Sequence, residues 1–399
     1  MLQCAAFNFS GMLACRFFMG MFEAGFMGKS TYDRHLCTVP VELRERKKEP
    51  PILTKIITAG LIFYLTQFYK RNEIAFRVSI IYGMVTIAHA FSGLISYGVF
   101  QINSNVQGWK YLFIIEGGCN LPIALFSVWF LPRTGAECHW FNAVEKETAR
   151  QRLLLDGSVQ TGSGAKLDIK TALNALLDPR IMAWAVCCFC YGIAQGSVSN
   201  FMPEMVALMG YSKVKTNLYT VAPYCVGTVV LWCMCLSSDH FRERSFHLAG
   251  ALMVTMIGYI ILISVDPPTN RGVAYLACFL LACGAFVPSC IFHSWHTNNV
   301  TDETQRAATV GFLVGSANCS GIPSSLSFKS DTAPKYTPAL IVNIAFLGAG
   351  IVMIVAMGVY LRLDNRRRDR EQGVHLNAKD VPTQELVGGW KNPNWRWTV

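Results

Sequence analysis

The chain has 399 residues, of which 52% are hydrophobic and only 15% charged, with a mean hydropathy of +0.33. A soluble globular chain carries about 25% charged residues, and here the charges cluster in short runs between long apolar stretches. That pattern excludes a soluble enzyme and points to a chain crossing a bilayer repeatedly. The net charge of +10 invites a nucleic-acid reading, but no basic stripe interleaved with aromatics supports one.

In chain order, an apolar stretch opens at 9–27 and stops abruptly. An apolar fragment at Ile57 to Phe68 follows about 30 residues later. Spans of bilayer length are then expected at 76–97, 111–131, 181–204, 217–236, 246–265, 272–294, 306–326 and 338–361, each close to the roughly 20 apolar residues that cross the hydrocarbon core. Residues 132–180 form the one long loop between spans, with a helical, amphipathic stretch around Glu145 to Arg152 and a Gly/Ser-rich break after it. Loop charge sets the orientation. Alternate loops hold 21 Lys and Arg on one side and six on the other, so the richer side, with the tail from 362 to 399, is expected in the cytosol.

The 15 cysteines lie mostly within apolar runs. Cys187 and Cys190 make a CxxC without a second pair, so they read as small buried side chains rather than metal ligands. No nucleotide loop, GxSxG elbow or HExxH motif is present, and no metal or cofactor is expected.

Several blocks together carry a resemblance. RFFMGMFEAGFM (Arg16 to Met27), FYLTQFYKRNEIAFR (Phe63 to Arg77), GWKYLFIIEG (Gly108 to Gly117), FLPRTGAECHWF (Phe130 to Phe141), TNLYTVAPY (Thr216 to Tyr224), SSDHFRER (Ser237 to Arg244), SDTAPKYTP (Ser330 to Pro338) and LDNRRRDRE (Leu363 to Glu371) occur in order. Their order and spacing resemble the anion:cation symporter family of the major facilitator superfamily, and most of all its fungal allantoate, nicotinate and pantothenate permeases. The resemblance implies an all-α fold of twelve membrane helices in two six-helix bundles around a central cavity, working by alternating access. It aligns the first apolar stretch here with the family's fourth helix, so about nine helices are expected and the first three are absent.

On that frame the expected units are a partial first bundle at 1–131, a cytosolic linker at 132–180, a six-helix second bundle at 181–361 and a cytosolic tail. The charged segment 28–59 interrupts the first helix. Each charge at the centre of a bilayer costs a few kcal/mol, so this segment cannot lie in hydrocarbon. Gly28-Lys29-Ser30 and Thr58-Ala59 can be encoded with splice-donor and acceptor sequences, and joining there restores one helix in frame. The segment therefore reads as a retained intron, the alternative being a soluble loop after Met27.

Arg16 and Glu23 lie seven residues apart, on one face of a helix. They either neutralise each other or serve as an anion-binding fork and a titrating acid that couples proton entry to substrate entry. The resemblance places the family's substrate and proton residues at this spacing. Glu116 is either a second cavity acid or an end cap. Tyr191, Gln195, Asn200, Tyr224 and Asn318 lie in or beside spans and either face the cavity or bond helix to helix. Asp239, Arg242 and Arg244 correspond to the family's charged gating loop. Trp295 reads as an interface anchor or a cytosolic gate, together with His296, Asn298 and Asn299. Pro122, Pro223, Pro288 and Pro323 mark helices that bend.

The expected function is proton-coupled symport of a small organic anion such as nicotinate, pantothenate or allantoate. The expected carrier is a monomer in the plasma membrane, with the lipid bilayer, the anion and the proton as its partners and no nucleic acid. A truncated, non-transporting paralogue or a nutrient sensor is the reading from another class.

Overall fold

Among the described residues the chain is all-helical. The computed structural model describes residues 65, 68–69, 74–100, 102, 108–132, 135, 138–155, 169–300, 303–328, 332, 335–376, 390 and 392–399. The opening apolar stretch, Arg16, Glu23 and the segment 28–59 lie outside these residues.

Helices α1 (Ile74–Phe100) and α2 (Gly108–Phe130) lie before the linker. The linker contributes α3 (Ala143–Leu155) and α4 (Ile169–Leu176). Helix α3 begins where the Asn142 amide donates to the Glu145 carboxylate at 2.8 Å, one half of a capping box. Helix α5 (Pro179–Ala207) starts equally clearly. Asp178 caps the Arg180 amide at 2.9 Å, and Pro179 occupies the first helical position, where a missing N–H costs nothing. There follow α6 (Lys213–Phe241), α7 (Ser245–Ser264), α8 (Arg271–Ala285), α9 (Val287–Asn298), α10 (Glu303–Cys319), α11 (Gly321–Ser327) and α12 (Thr337–Gln372).

Six membrane-length helical segments among the described residues are apolar enough to cross a bilayer: Phe76–Ile95, Pro179–Ala207, Lys215–Phe241, Ser245–Ser264, Arg271–Asn298 and Thr337–Gln372. The chain is therefore an integral membrane protein. Prolines explain two breaks. A proline ring collides with the carbonyl four residues earlier and offers no N–H to it. Pro288 does this to Gly284, so the span 271–298 divides at Phe286 into α8 and α9. Pro323 does it to Cys319, the last residue of α10. By contrast α12 runs 11 residues past the expected end at 361. The extension is held by i,i+4 pairs, Arg368 to Asp364 at 3.0 Å and Arg367 to Glu371 at 2.7 Å. It ends where Gly373 turns left-handed, with φ 67°.

Helices α5 to α12 pack as one bundle around a core that includes Tyr191, Met202, Leu231, Leu252, Tyr259, Leu281, Phe292 and Leu347. Close approach depends on small residues, as it does between helices in lipid. Gly227 on α6 sits so near α8 that a Cβ there would lie 2.7 Å from the Ala282 carbonyl oxygen. Helix α1 packs along α6 and also touches α9, whereas α2 packs chiefly on α1 and leaves Leu121, Ile123, Phe126 and Trp129 exposed.

Candidate functional site: the seam between α1 and the later helices

The seam runs antiparallel along α1 from Phe76 to Gly93. The Phe76 amide donates to Asp239 Oδ2 at 2.9 Å. The Trp232 indole donates to the Ser79 carbonyl at 3.1 Å, with Gly83 directly beneath the indole ring. The hydroxyls of Thr86 and Thr228 meet at 2.5 Å, and the Asn217 amide donates to the Gly93 carbonyl at 3.2 Å. As α1 numbers rise, α6 numbers fall in step, so one face of α1 supplies every contact.

A polar cluster opens off the middle of this seam. The Ser289 hydroxyl, in the first turn of α9, donates to Gln195 Oε1 on α5 at 2.5 Å. Tyr82 on α1 and Tyr191 on α5 lie near the same serine, the Tyr191 hydroxyl donating to Cys188 Sγ at 3.6 Å. Two turns further along α1, His89 stacks on Tyr224 with ring centroids 5.7 Å apart, and Phe286 closes the layer 6.1 Å from His89. The Tyr224 hydroxyl is spent on the Val198 carbonyl at 2.9 Å, which fixes its ring. Tyr259 is held in the same way by the Ala194 carbonyl at 3.2 Å. The result holds no carboxylate, ammonium or guanidinium: two phenols, a hydroxyl and an amide beside the layer of His89, Tyr224 and Phe286. Such a set can hydrogen-bond a polar solute and stack on a flat one without carrying a fixed charge into the bilayer.

Of the residues expected from sequence to line a site, Tyr191 and Gln195 therefore come together, and Tyr224 stands in the adjoining layer. Asn318 is exposed on α10, Asn200 is exposed on α5, and Glu116 is exposed on α2. Cys187 and Cys190 are buried and unpaired. No cluster of His, Cys, Asp or Glu able to hold a metal occurs among the described residues. Tyr82, His89 and Ser289 were not singled out from sequence. Ser79, Tyr82, Thr86, His89 and Gly93 recur at helical spacing on α1, and this stripe of small and polar residues is the signal that would have found the first two.

At one end of the seam the chemistry turns ionic. Arg244 pairs with Asp239 at 2.6 Å and is only 2% exposed. Its guanidinium also donates to Ser238 at 3.0 Å. Asp239 in turn supplies an acceptor to one of the first amides of α1, which have no partner within their own helix, and a carboxylate suits that positive helix end. Arg242 does not join the pair. It is exposed and ends α6 in the left-handed conformation, φ 52°. Beside it, burial raises the Glu243 carboxyl, but bonds from Ser245, the Phe246 amide and His247, with Arg362 at 2.7 Å, outweigh burial and hold it below its ordinary value. Trp295 is fully buried rather than placed at a lipid interface, and its indole donates to the Thr398 carbonyl at 2.8 Å.

The model for the Major Facilitator Superfamily matches residues 52–326. The chain belongs to that superfamily. It is 51% identical over 400 residues to the MFS-type transporter efuF of Hormonema carpetanum, covering 100% of this chain and 74% of that protein. It is 44% identical to the major facilitator-type transporter hxnP of Emericella nidulans, covering 99% and 73%. A more distant relative, the high-affinity nicotinic acid transporter of Saccharomyces cerevisiae, is 25% identical over 86% of this chain and 63% of its own length. The chain is thus a transporter by family.

Proposed function

We propose that this carrier moves a small organic anion, a carboxylate such as nicotinate, pantothenate or allantoate, by symport with a proton across the plasma membrane, with its C-terminus in the cytosol. The observation that carries the reading is the neutral cluster of Tyr82, Tyr191, Gln195 and Ser289 beside the His89, Tyr224 and Phe286 layer. Hydroxyl and amide donors suit a carboxylate, and the aromatic layer suits a planar ring. The nicotinic acid transporter among the relatives supports that class. In this reading Arg16 supplies the bidentate cation for the carboxylate and Glu23 takes up the proton. Asp239 and Arg244, with Arg242 beside them, close one end of the path, and Asn318 serves when its face of α10 turns toward the substrate.

Uptake of labelled nicotinate, pantothenate and allantoate by cells expressing the full chain, with and without a protonophore, tests this. At least one anion is expected to accumulate, with the protonophore abolishing accumulation. Gln195→Leu is expected to weaken apparent affinity about tenfold, which corresponds to about 1.4 kcal/mol, and Glu23→Gln to remove the protonophore-sensitive part. No accumulation of any of the three by membrane-inserted protein would overturn the substrate class. Accumulation indifferent to Glu23→Gln would overturn the coupling.

A further inference from the structure

The last residues of the chain fold back on the ionic end of the seam. Trp395, Arg396 and Trp397 are all buried. Two asparagines grip their backbone from both sides of the peptide. Asn365 on α12 donates to the Trp397 carbonyl at 2.9 Å and accepts the Trp397 amide at 2.8 Å. Asn299, just past α9, donates to the Thr398 carbonyl at 3.0 Å and accepts the Thr398 amide at 2.9 Å. Side chains add to the hold. The Trp397 indole donates to Asp364 at 2.6 Å, and Arg396 pairs with Asp369 at 2.8 Å while donating to Gln372 at 2.7 Å. Arg180, at the start of α5, lies over the rings of Trp390 and Trp397.

One further bond gives this segment a role beyond packing. A main-chain oxygen of Val399 accepts the backbone amide of Arg244 at 2.8 Å. The guanidinium of that same residue holds Asp239, and Asp239 holds the Phe76 amide of α1. A continuous path therefore runs from the tail, through Arg244 and Asp239, to the helix on the other side of the seam. The first and last links are hydrogen bonds and the middle one is a buried ion pair, and the segment ties together α5, α9, α12 and the turn between α6 and α7.

We propose that residues 395–399 are a strap that latches this end of the seam shut, by fixing the backbone of Arg244 so that its side chain stays on Asp239. Alternating access requires this end to part, and the strap must loosen when it does. The inference rests on the bonding path and is independent of which substrate is carried.

Amide hydrogen exchange on the full chain in lipid nanodiscs tests it, because the Phe76 amide is itself the last link. Arg396→Glu places a second carboxylate against Asp369 and is expected to release the strap. Exchange in the first turn of α1 should then quicken at least tenfold, while the amides around Gly93, at the opposite end of the seam, should keep their wild-type rates. Trp397→Phe keeps the ring but loses the Asp364 bond, and a smaller acceleration of the same amides is expected. It also serves as the readout should Arg396→Glu fail to fold. Faster exchange confined to the tail and the end of α12, with the α1 amides unchanged in whichever variant folds, would overturn the proposal.

Discussion

The middle of the seam and its tail-bearing end press α1 against the same helix, yet they are built from opposite chemistry. In the middle the contacts are neutral: Tyr82, Ser289 and Gln195, the two threonine hydroxyls, and Gly83 under Trp232. At the end the Phe76 amide of α1 meets a carboxylate, Asp239, that is itself ion-paired with Arg244, beside the Arg362 and Glu243 pair, with the tail bonded to Arg244. Neutral hydrogen bonds between membrane helices are worth about 0.6 kcal/mol on average, small enough for a solute to exchange with them. Buried charges are different, since removing one partner leaves the other uncompensated. On the proposed function, exchangeable contacts stand where the substrate would enter and costly ones where the path would be held closed.

The largest test of that contrast is at the end. Arg244→Met leaves Asp239 without its cation and is expected to destabilise the protein by about 3–5 kcal/mol. Ser289→Ala in the middle should cost only about 1 kcal/mol. Thermal unfolding of the purified protein in detergent compares the two, and equal losses would erase the distinction drawn between the regions. Next in size is Gly83→Leu, whose side chain would enter the space of the Trp232 indole. Overpacking of this kind costs about 1–3 kcal/mol. Trp232→Leu in the same chain should restore most of the loss, because it vacates the space in question.

A smaller effect is expected from pH. The Glu243 carboxyl is held below its ordinary value in the fold. Its contribution is therefore complete above the unfolded value, about pH 4.3, and declines as pH falls through the lower folded value. The group is partly open to solvent, which screens the effect. Melting curves from pH 7 to pH 3 should show an acid limb that Glu243→Gln makes shallower. An unchanged limb would mean that the Arg362 and Ser245 contacts contribute nothing.

Much of this architecture was legible in the sequence because bilayer thickness imposes a length on apolar runs. Each of the six segments long and apolar enough to cross a bilayer falls on an expected span. The breaks at Phe286 and Ser320 were less legible. Pro288 and Pro323 marked them, but a proline within a span can kink a helix as well as end it. Tyr191 and Gln195 were found by their polarity within an apolar run, but Ser289 was not, since one serine in a span usually bonds within its own helix. The strap could not be read at all. Asn299 and Arg244 meet residues 398 and 399 only through the tertiary fold, and NWRWTV in a basic tail looks like any solvated end.

The smallest expected effect bears on the middle of the seam and sharpens the contrast most. Thr86 and Thr228 touch across the interface, and each also bonds a carbonyl of its own helix, Gly83 and Tyr224, both at 2.8 Å. Two hydroxyls carry only two hydrogens for these three contacts. Whichever threonine donates across the seam gives up its own carbonyl, so the cross-seam bond displaces a local one rather than adding to it. A double-mutant cycle with Thr86→Val and Thr228→Val should therefore give a coupling of about 0.6 kcal/mol or less. A coupling above the roughly 1.7 kcal/mol maximum measured for such bonds would show the middle of the seam to be latched as firmly as its end. The division between an exchangeable centre and a locked end would then fail.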